Sequence, residues 1–142
     1  VDDVAVPALV EGGEWVTVPH FGVPDYPDGQ LRSNAHSMAR LLSMLDSGGI
    51  YEGTRYISDD SVDELLTPPY TNLDADQGLI LYWWALDGAD VWGHNGGETG
   101  TSTEIVMRED DGLGAVVLMN SEGRERTLEK VERAILKAAE EL

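Results

Sequence analysis

The sequence has no cysteine, only two lysines and no long apolar run. The absence of cysteine excludes a disulfide scaffold, a thiolate zinc site and a cysteine nucleophile. No apolar run approaches the roughly 20 residues that a membrane-spanning helix needs, and the start of the chain lacks a basic stretch followed by an apolar one. We therefore expect no membrane partner. A chain of 142 residues is long enough to fold as one domain, 1–142, around an apolar core.

Positive charge is also scarce, with 9 Lys and Arg against 27 Asp and Glu and a net charge of −18. Only Arg32, Arg40 and Arg55 precede position 108, so the first three quarters of the chain cannot form a basic groove. This excludes nucleic acid as a partner. An acidic, lysine-poor surface suits high salt, where self-repulsion is screened. Two interpretations of this acidic composition remain, a halophilic protein and an ordinary acidic protein.

The first half of the chain divides into two parts. Residues 1–32 hold four of the six prolines and predict an irregular covering segment. Residues 33–77 predict a small helical part, because apolar residues recur at helical spacing from Ala35 to Leu45. Ser58 then has the character of an N-cap for a shorter helix that ends before Pro68.

Residues 78–142 predict a sheet followed by a terminal helix. Alternating or continuous apolar runs indicate four strands, at 79–86, 91–95, 103–108 and 113–120. Asp-Gly steps after the first and third runs are typical of hairpin turns. The terminal helix has an apolar stripe formed by Leu128, Val131, Ile135, Ala138 and Leu142. The predicted class is α+β, an antiparallel meander with a C-terminal helix packed on it and a small helical part before it.

The most informative stretch is residues 92–100, which are rich in glycine around His94. Glycine in a strand permits close approach of a ligand or another backbone. A histidine beside bare amides can stabilise an oxyanion, which indicates catalysis or binding. The alternative is a glycine-rich bulge with a half-buried histidine.

Four features in order carry a resemblance to a known family: Tyr26–Ser33 before a helix, the His94–Gly97 strand, and the two strands 103–108 and 113–120. Over roughly residues 5–142 the chain resembles the C-terminal half of serine β-lactamase-like hydrolases, which include class C β-lactamases, D-aminopeptidases and esterases. The resemblance implies a partial β-lactamase/transpeptidase-like fold. It also implies acyl transfer from a carbonyl substrate, a lactam, a D-amino-acid peptide or an ester, to a serine.

The resemblance assigns site residues one by one. His94-Asn95-Gly96 matches the His-x-Gly form of the family's Lys-Thr-Gly triplet, so His94 would orient or polarise the substrate. Asn95 and Gly96 would line the substrate, and the amide of Gly97 would contribute to the oxyanion hole. We expect no cofactor and no metal, because His20, His36 and His94 lack metal-ligand spacing.

The family's nucleophile motif, Ser-x-x-Lys, is absent. The two lysines, Lys130 and Lys137, follow Thr127 and Ala134 at that spacing, and Arg40 after Ser37 stays protonated and cannot act as a base. The other family motif, Tyr-x-Asn, occurs by letter at Tyr70–Asn72, but in the wrong order along the chain. We therefore expect the back half of a hydrolase, inactive alone and completed by a missing N-terminal half. The alternative is a non-catalytic acidic binding or assembly module.

Two further patterns favour ordinary structure over a site. Asn72, Asp74 and Asp76 alternate as in an EF-hand, but Gln77 and Trp83 stand where glycine and glutamate are required. The aromatic run Tyr82–Trp84 fits a carbohydrate platform or core packing, and alternating strand faces favour packing.

The strand at 113–120 is apolar, uncharged and free of proline, which makes it a poor edge strand. In the family it would lie between 103–108 and a strand of the missing half. The sequence therefore predicts a substitute neighbour. Either Trp15–Val18 pairs with it, or the same strand of a second copy does, which would give a homodimer.

Overall fold

The computed structural model describes residues 3–22, 24, 29–122 and 127–141, so Tyr26 to Asp28 of the resemblance segment lie outside the described residues. Within the described residues the chain forms eight strands and three helices. In chain order they are β1 (Ala8–Glu11), β2 (Glu14–Thr17), α1 (Ala35–Asp46), β3 (Ile50–Tyr51), β4 (Thr54–Arg55), α2 (Asp59–Leu66), β5 (Tyr82–Leu86), β6 (Ala89–Glu98), β7 (Thr101–Arg108), β8 (Gly114–Met119) and α3 (Thr127–Ala139).

Helices α1 and α2 form where the sequence predicts them. Asn34 caps α1, its Oδ1 accepting a 2.9 Å hydrogen bond from the amide of Ser37. Ser58 caps α2 as expected, its Oγ accepting from the amide of Ser61 at 3.1 Å. The apolar faces of the two helices bury Leu42, Leu45 and Val62. No helix of the described residues is long and apolar enough to cross a membrane.

The N-terminal segment is more regular than the sequence predicts. Strands β1 and β2 pair as an antiparallel hairpin, with Val10 opposite Trp15. Gly12 and Gly13 form its two-residue turn, both with positive φ, which suits the twist of a tight hairpin. The prediction of an irregular segment is therefore wrong for residues 8–17, because the proline content masked a short alternating pattern.

A four-stranded antiparallel sheet in the order β5-β6-β7-β8 forms the body of the structure. The Asp87-Gly88 turn between β5 and β6 is confirmed, with φ of 54° and 83° at the two residues. The first strand is shorter than predicted, since the amide of Gly78 bonds the carbonyl of Leu81 and makes a turn. Strand β6 is longer, because its glycines remain paired with β7 as far as Glu98.

The sheet has a helix layer on each face. Helices α1 and α2 bury their apolar residues with Trp92 and Met107 on one face. Helix α3 packs on the other face, where Leu136 contacts the cluster around Val91 and Val106, both fully buried. The α+β class with an antiparallel meander and a C-terminal helix packed on it is confirmed.

The buried face of α3 differs from the predicted stripe. Val131 and Ile135 are 38% and 37% exposed, whereas Glu132 is 1% exposed and Leu136 5%. The helix is therefore rotated so that a carboxyl side chain points into the structure. Glutamate side chains are expected on the exposed face of a helix, so the apolar pattern predicted the helix correctly but assigned it the wrong buried face.

Strand β8 lies at the edge of the sheet. The amide of Arg108 bonds the carbonyl of Leu113, so by antiparallel alternation Gly114, Val116 and Leu118 direct their backbone groups away from β7. The N-terminal segment reaches only the end of this edge, where the amide of Ala8 donates to the carbonyl of Asn120 at 2.9 Å.

The predicted pairing of Trp15–Val18 with this strand is wrong, since Glu14–Thr17 pairs with β1. Pairing with a second copy stays a prediction. A charged residue substituted at Val117 would not test this pairing, because Val117 is 6% exposed and lies opposite Glu104 within the sheet.

We expect the purified chain to dimerise through β8 in 1 M KCl, where the repulsion between two acidic copies is screened. Leu118→Pro removes one outward amide and no bond to β7, so it should give a folded monomer by light scattering. Leu118→Thr keeps the amide and serves as the matched control, which should remain dimeric. A monomeric wild type at this salt concentration would contradict the pairing.

Candidate functional site

The second half of β6 forms an open strand edge. Strand β5 pairs with β6 only as far as Tyr82 opposite Gly93, whereas β7 pairs with β6 through Glu98. Residues 94–98 therefore have β7 on one side and, within the described part of the chain, no strand on the other. The pairing is continuous from His94 to Glu98, so the alternative of a glycine-rich bulge is wrong.

Two backbone amides point out of this edge. The amide of Asn95 donates a 2.8 Å hydrogen bond to the hydroxyl of Tyr82, so it faces the β5 side. Directions alternate along a strand, and the amide of Gly97 therefore faces the same side. A Cβ built at Gly97 has no atom within 4 Å, so the face of the sheet at this position is also open.

His94 is exposed on this edge. Its Nδ1 lies within hydrogen-bond distance of the Asn95 carbonyl oxygen, and its ring centroid is 5.2 Å from that of Tyr82. A carbonyl oxygen only accepts, so Nδ1 carries the proton in this contact. The neutral ring then has its lone pair on Nε2, which can accept a proton or a hydrogen bond.

Gly93 and Gly96 differ from Gly97 in their surroundings. A Cβ at Gly93 would lie 2.0 Å from the carbonyl oxygen of Ile105, and at Gly96 it would lie 2.7 Å from Oγ1 of Thr103. Close packing of β6 on β7 therefore requires glycine at Gly93 and favours it at Gly96.

Tyr82, which the sequence placed in an aromatic run that favours packing, lies at the site. Its ring contacts His94 and Trp84, and its hydroxyl accepts a hydrogen bond from the Asn95 amide. Burial raises the pKa of the Tyr82 hydroxyl, and the nearby Glu104 carboxylate adds to the rise against the opposing effect of the Asn95 amide. The hydroxyl is therefore protonated at neutral pH and can donate a hydrogen bond as well as accept one. The sequence does not show this contact with the Asn95 amide, because it depends on where β5 begins.

A groove of about 330 Å³ lies beside the edge, lined by Asp74, Asp76, Gln77, Tyr82, Trp83 and Asn95. A second groove of about 490 Å³ continues past Asp76 and Trp83 toward Pro68 and Asp90. Trp83 also packs against the α1 and α2 face and donates its Nε1 proton to the carbonyl of Leu66 at 2.9 Å. The packing interpretation of the aromatic run is confirmed for this residue.

The remaining sequence motifs lie away from the edge or make local bonds. The carbonyl of Tyr70 accepts from the amides of Leu73 and Asp74, and Tyr70–Asn72 does not line the groove. Asp74 accepts from the amide of Asp76, which is a turn contact. Across the described ranges no group of three acidic or histidine side chains has metal-binding geometry.

The end of the covering segment reaches the edge. A Cβ at Gly29 would lie 3.7 Å from Cγ of Glu98, so the described part of the resemblance segment approaches the end of β6. The structure thus brings together Gly29 and Glu98, which are 69 residues apart in the sequence.

One comparison with known proteins identifies a family for this chain. The profile of the Beta-lactamase family matches residues 2–140. No curated protein and no solved structure matches the chain. The family match covers the helical part, the sheet and the terminal helix together. The chain therefore belongs to the beta-lactamase family.

Proposed function

We propose that residues 94–97 form the carbonyl-binding edge of a serine hydrolase site. The observation that carries the proposal is the open β6 edge beyond Gly93, toward which the amide of Gly97 points with no strand of the described residues paired to it. Preorganised backbone amides stabilise the oxyanion that develops in acyl transfer. Membership of the beta-lactamase family supports a hydrolase of this type.

The role of each residue follows from its position. Gly97 donates its amide to the carbonyl oxygen of the substrate, and Asn95 and Gly96 lie along the bound substrate. His94 orients or polarises the substrate through Nε2, since its Nδ1 is engaged by the Asn95 carbonyl. Tyr82 fixes the Asn95 amide and so holds this end of the edge in place.

The nucleophile is the part that this sequence does not supply. Acyl transfer to a serine needs a neighbouring base, and no lysine follows a serine at helical spacing in the 142 residues. We propose that a Ser-x-x-Lys segment of an N-terminal half completes the site, with a lactam, a D-amino-acid peptide or an ester as the substrate class. The second candidate is an acidic binding or assembly module without catalysis, which the missing nucleophile favours.

We expect the purified 142-residue chain to remain unlabelled by a fluorophosphonate probe and by a penicillin probe, as measured by intact mass. The protein translated from the complete reading frame should be acylated at the serine of an upstream Ser-x-x-Lys. In that protein His94→Ala should slow acylation by about 100-fold, the lower range for loss of one acid–base or polarising group. His36→Ala, at an exposed histidine of α1, is the matched control.

Acylation of any serine within the 142 residues would contradict the proposal. A complete reading frame that lacks both Ser-x-x-Lys and Tyr-x-Asn would instead support the non-catalytic module.

A further inference from the structure

One carboxyl group lies buried between α3 and the sheet, away from the open edge of β6. Glu132 is 1% exposed, and its Oε1 has no hydrogen-bond partner. Its carboxyl group forms a hydrogen bond with the side chain of Glu104 on β7. Glutamate is almost never fully buried unless its charge is compensated, so this arrangement needs an explanation.

The charged groups around Glu132 do not compensate it. Glu104 and Glu129 are both acidic. Arg133, on α3 like Glu132, forms ion pairs with Glu129 and Asp87 instead. From the strands beneath, β8 contributes the apolar Ala115 and Val117. The other titratable groups on this face are engaged elsewhere, Tyr82 with the Asn95 amide and Arg108 with Asp111 and Glu140.

Two carboxylates in contact cannot both be ionised at low cost in a buried site. Burial, together with the charge of Glu104, raises the pKa of Glu132 to about 8. Burial also raises the pKa of Glu104, against the hydrogen bond from Glu132, which stabilises its carboxylate. Glu132 is therefore the protonated partner at neutral pH, and its O–H donates to the carboxylate of Glu104.

We propose that a single proton held between Glu132 and Glu104 docks α3 on the sheet, and that its loss in mild alkali loosens this helix. The Glu132–Glu104 pair is also connected to the open edge of β6, because Glu104 lies opposite Asn95 in the β6–β7 register. Loosening of α3 would thus act on the strand that carries His94. The inference does not depend on the proposed hydrolase activity and is tested on the 142-residue chain.

The direction of the pH dependence follows from proton binding. In the unfolded chain Glu132 releases its proton at the ordinary pKa of 4.5, whereas the folded chain keeps it to about pH 8. Between these two pH values the folded state binds one more proton than the unfolded state. The contribution of Glu132 to the free energy of unfolding is therefore full below pH 4.5, falls as the pH rises toward 8 and changes no further above 8.

Thermal unfolding followed by circular dichroism from pH 5 to 9 tests the proposal with Glu132→Gln. The amide keeps the shape and donates to Glu104 without titrating, so the fall in Tm of the wild type between pH 5 and 8 should be largely absent in this variant. Within this window each pH unit should raise the wild-type unfolding constant up to about tenfold relative to the variant. Glu141→Gln, at an exposed glutamate beyond the same helix, should retain the wild-type slope. Equal slopes in wild type and Glu132→Gln would overturn the proposal.

A direct titration keeps the test decisive if Glu132→Gln does not fold. The ¹³C shift of the Glu132 carboxyl in the wild type should titrate with a midpoint near pH 8, and Glu104→Gln should move that midpoint lower by removing the neighbouring charge. Hydrogen exchange of α3 amides, corrected for intrinsic rates, should accelerate across the same range. A Glu132 midpoint near pH 4.5 would refute the proposal. Hydrogen exchange of the α3 amides that does not change as Glu132 titrates would refute it as well.

Discussion

Gly93→Ala should destabilise the chain by about 3 kcal/mol or more, whereas Gly97→Ala should leave its stability unchanged. A methyl group at Gly93 would lie 2.0 Å from the Ile105 carbonyl oxygen and 2.9 Å from Trp84, so the backbones of β6 and β7 must separate. Overpacking of a buried site costs about 1–3 kcal/mol and at times more, and contact with backbone places this substitution at the upper end. At Gly97 the methyl group meets no atom within 4 Å.

Circular dichroism and urea unfolding measure the difference, with the two variants as matched controls for one another on the same strand. A folded Gly93→Ala chain of wild-type stability would show that β6 and β7 are not packed as described. In the protein from the complete reading frame, Gly97→Ala also reports on function. It should slow acylation without loss of stability, because the methyl group stands next to the amide that is proposed to bind the carbonyl and restricts the approach of the substrate.

The melting temperature should rise by more than about 5 °C between 0.05 and 1 M KCl, since a 1 kcal/mol gain shifts Tm by roughly 2–8 °C for domains of this general size. The net charge is −18, and the ion pairs among the described residues use only Arg108 and Arg133, each between two carboxylates. Most acidic groups therefore repel one another with no local cation, and salt relieves that repulsion as the Debye length falls to about 3 Å at 1 M.

The shape of the salt curve separates screening from general salting-out. Screening should give most of the increase below about 0.5 M, after which the curve flattens, whereas stronger apolar burial continues to grow with added salt. Sucrose at matched osmolality should not reproduce the early rise. A melting temperature that is flat across this range would contradict halophilic adaptation and leave the acidic composition without this physical role.

Local features were predicted well because their physics is contained within a few residues. Ser58 caps α2 through a hydrogen bond to an amide three residues away, and Asp87-Gly88 closes a hairpin through its own backbone angles. The apolar runs placed all four strands of the sheet, with their ends shifted by up to three residues. These errors arise where a neighbouring strand extends or ends the pairing, which the sequence of one strand does not contain.

The amino-acid sequence was sufficient to predict the α+β class, the order of the three helices and of the four strands of the main sheet, the family resemblance and the position of the His94–Gly97 segment on a strand. The absence of Ser-x-x-Lys and the large negative charge are also properties of the sequence alone. The fold was needed to show that the β6 edge is open beyond Gly93, that the Tyr82 hydroxyl accepts a hydrogen bond from the Asn95 amide and that Glu132 faces inward on α3. Strand ends, side-chain neighbours and helix rotation depend on contacts between residues far apart in the chain, and spacing along one element carries no information about them.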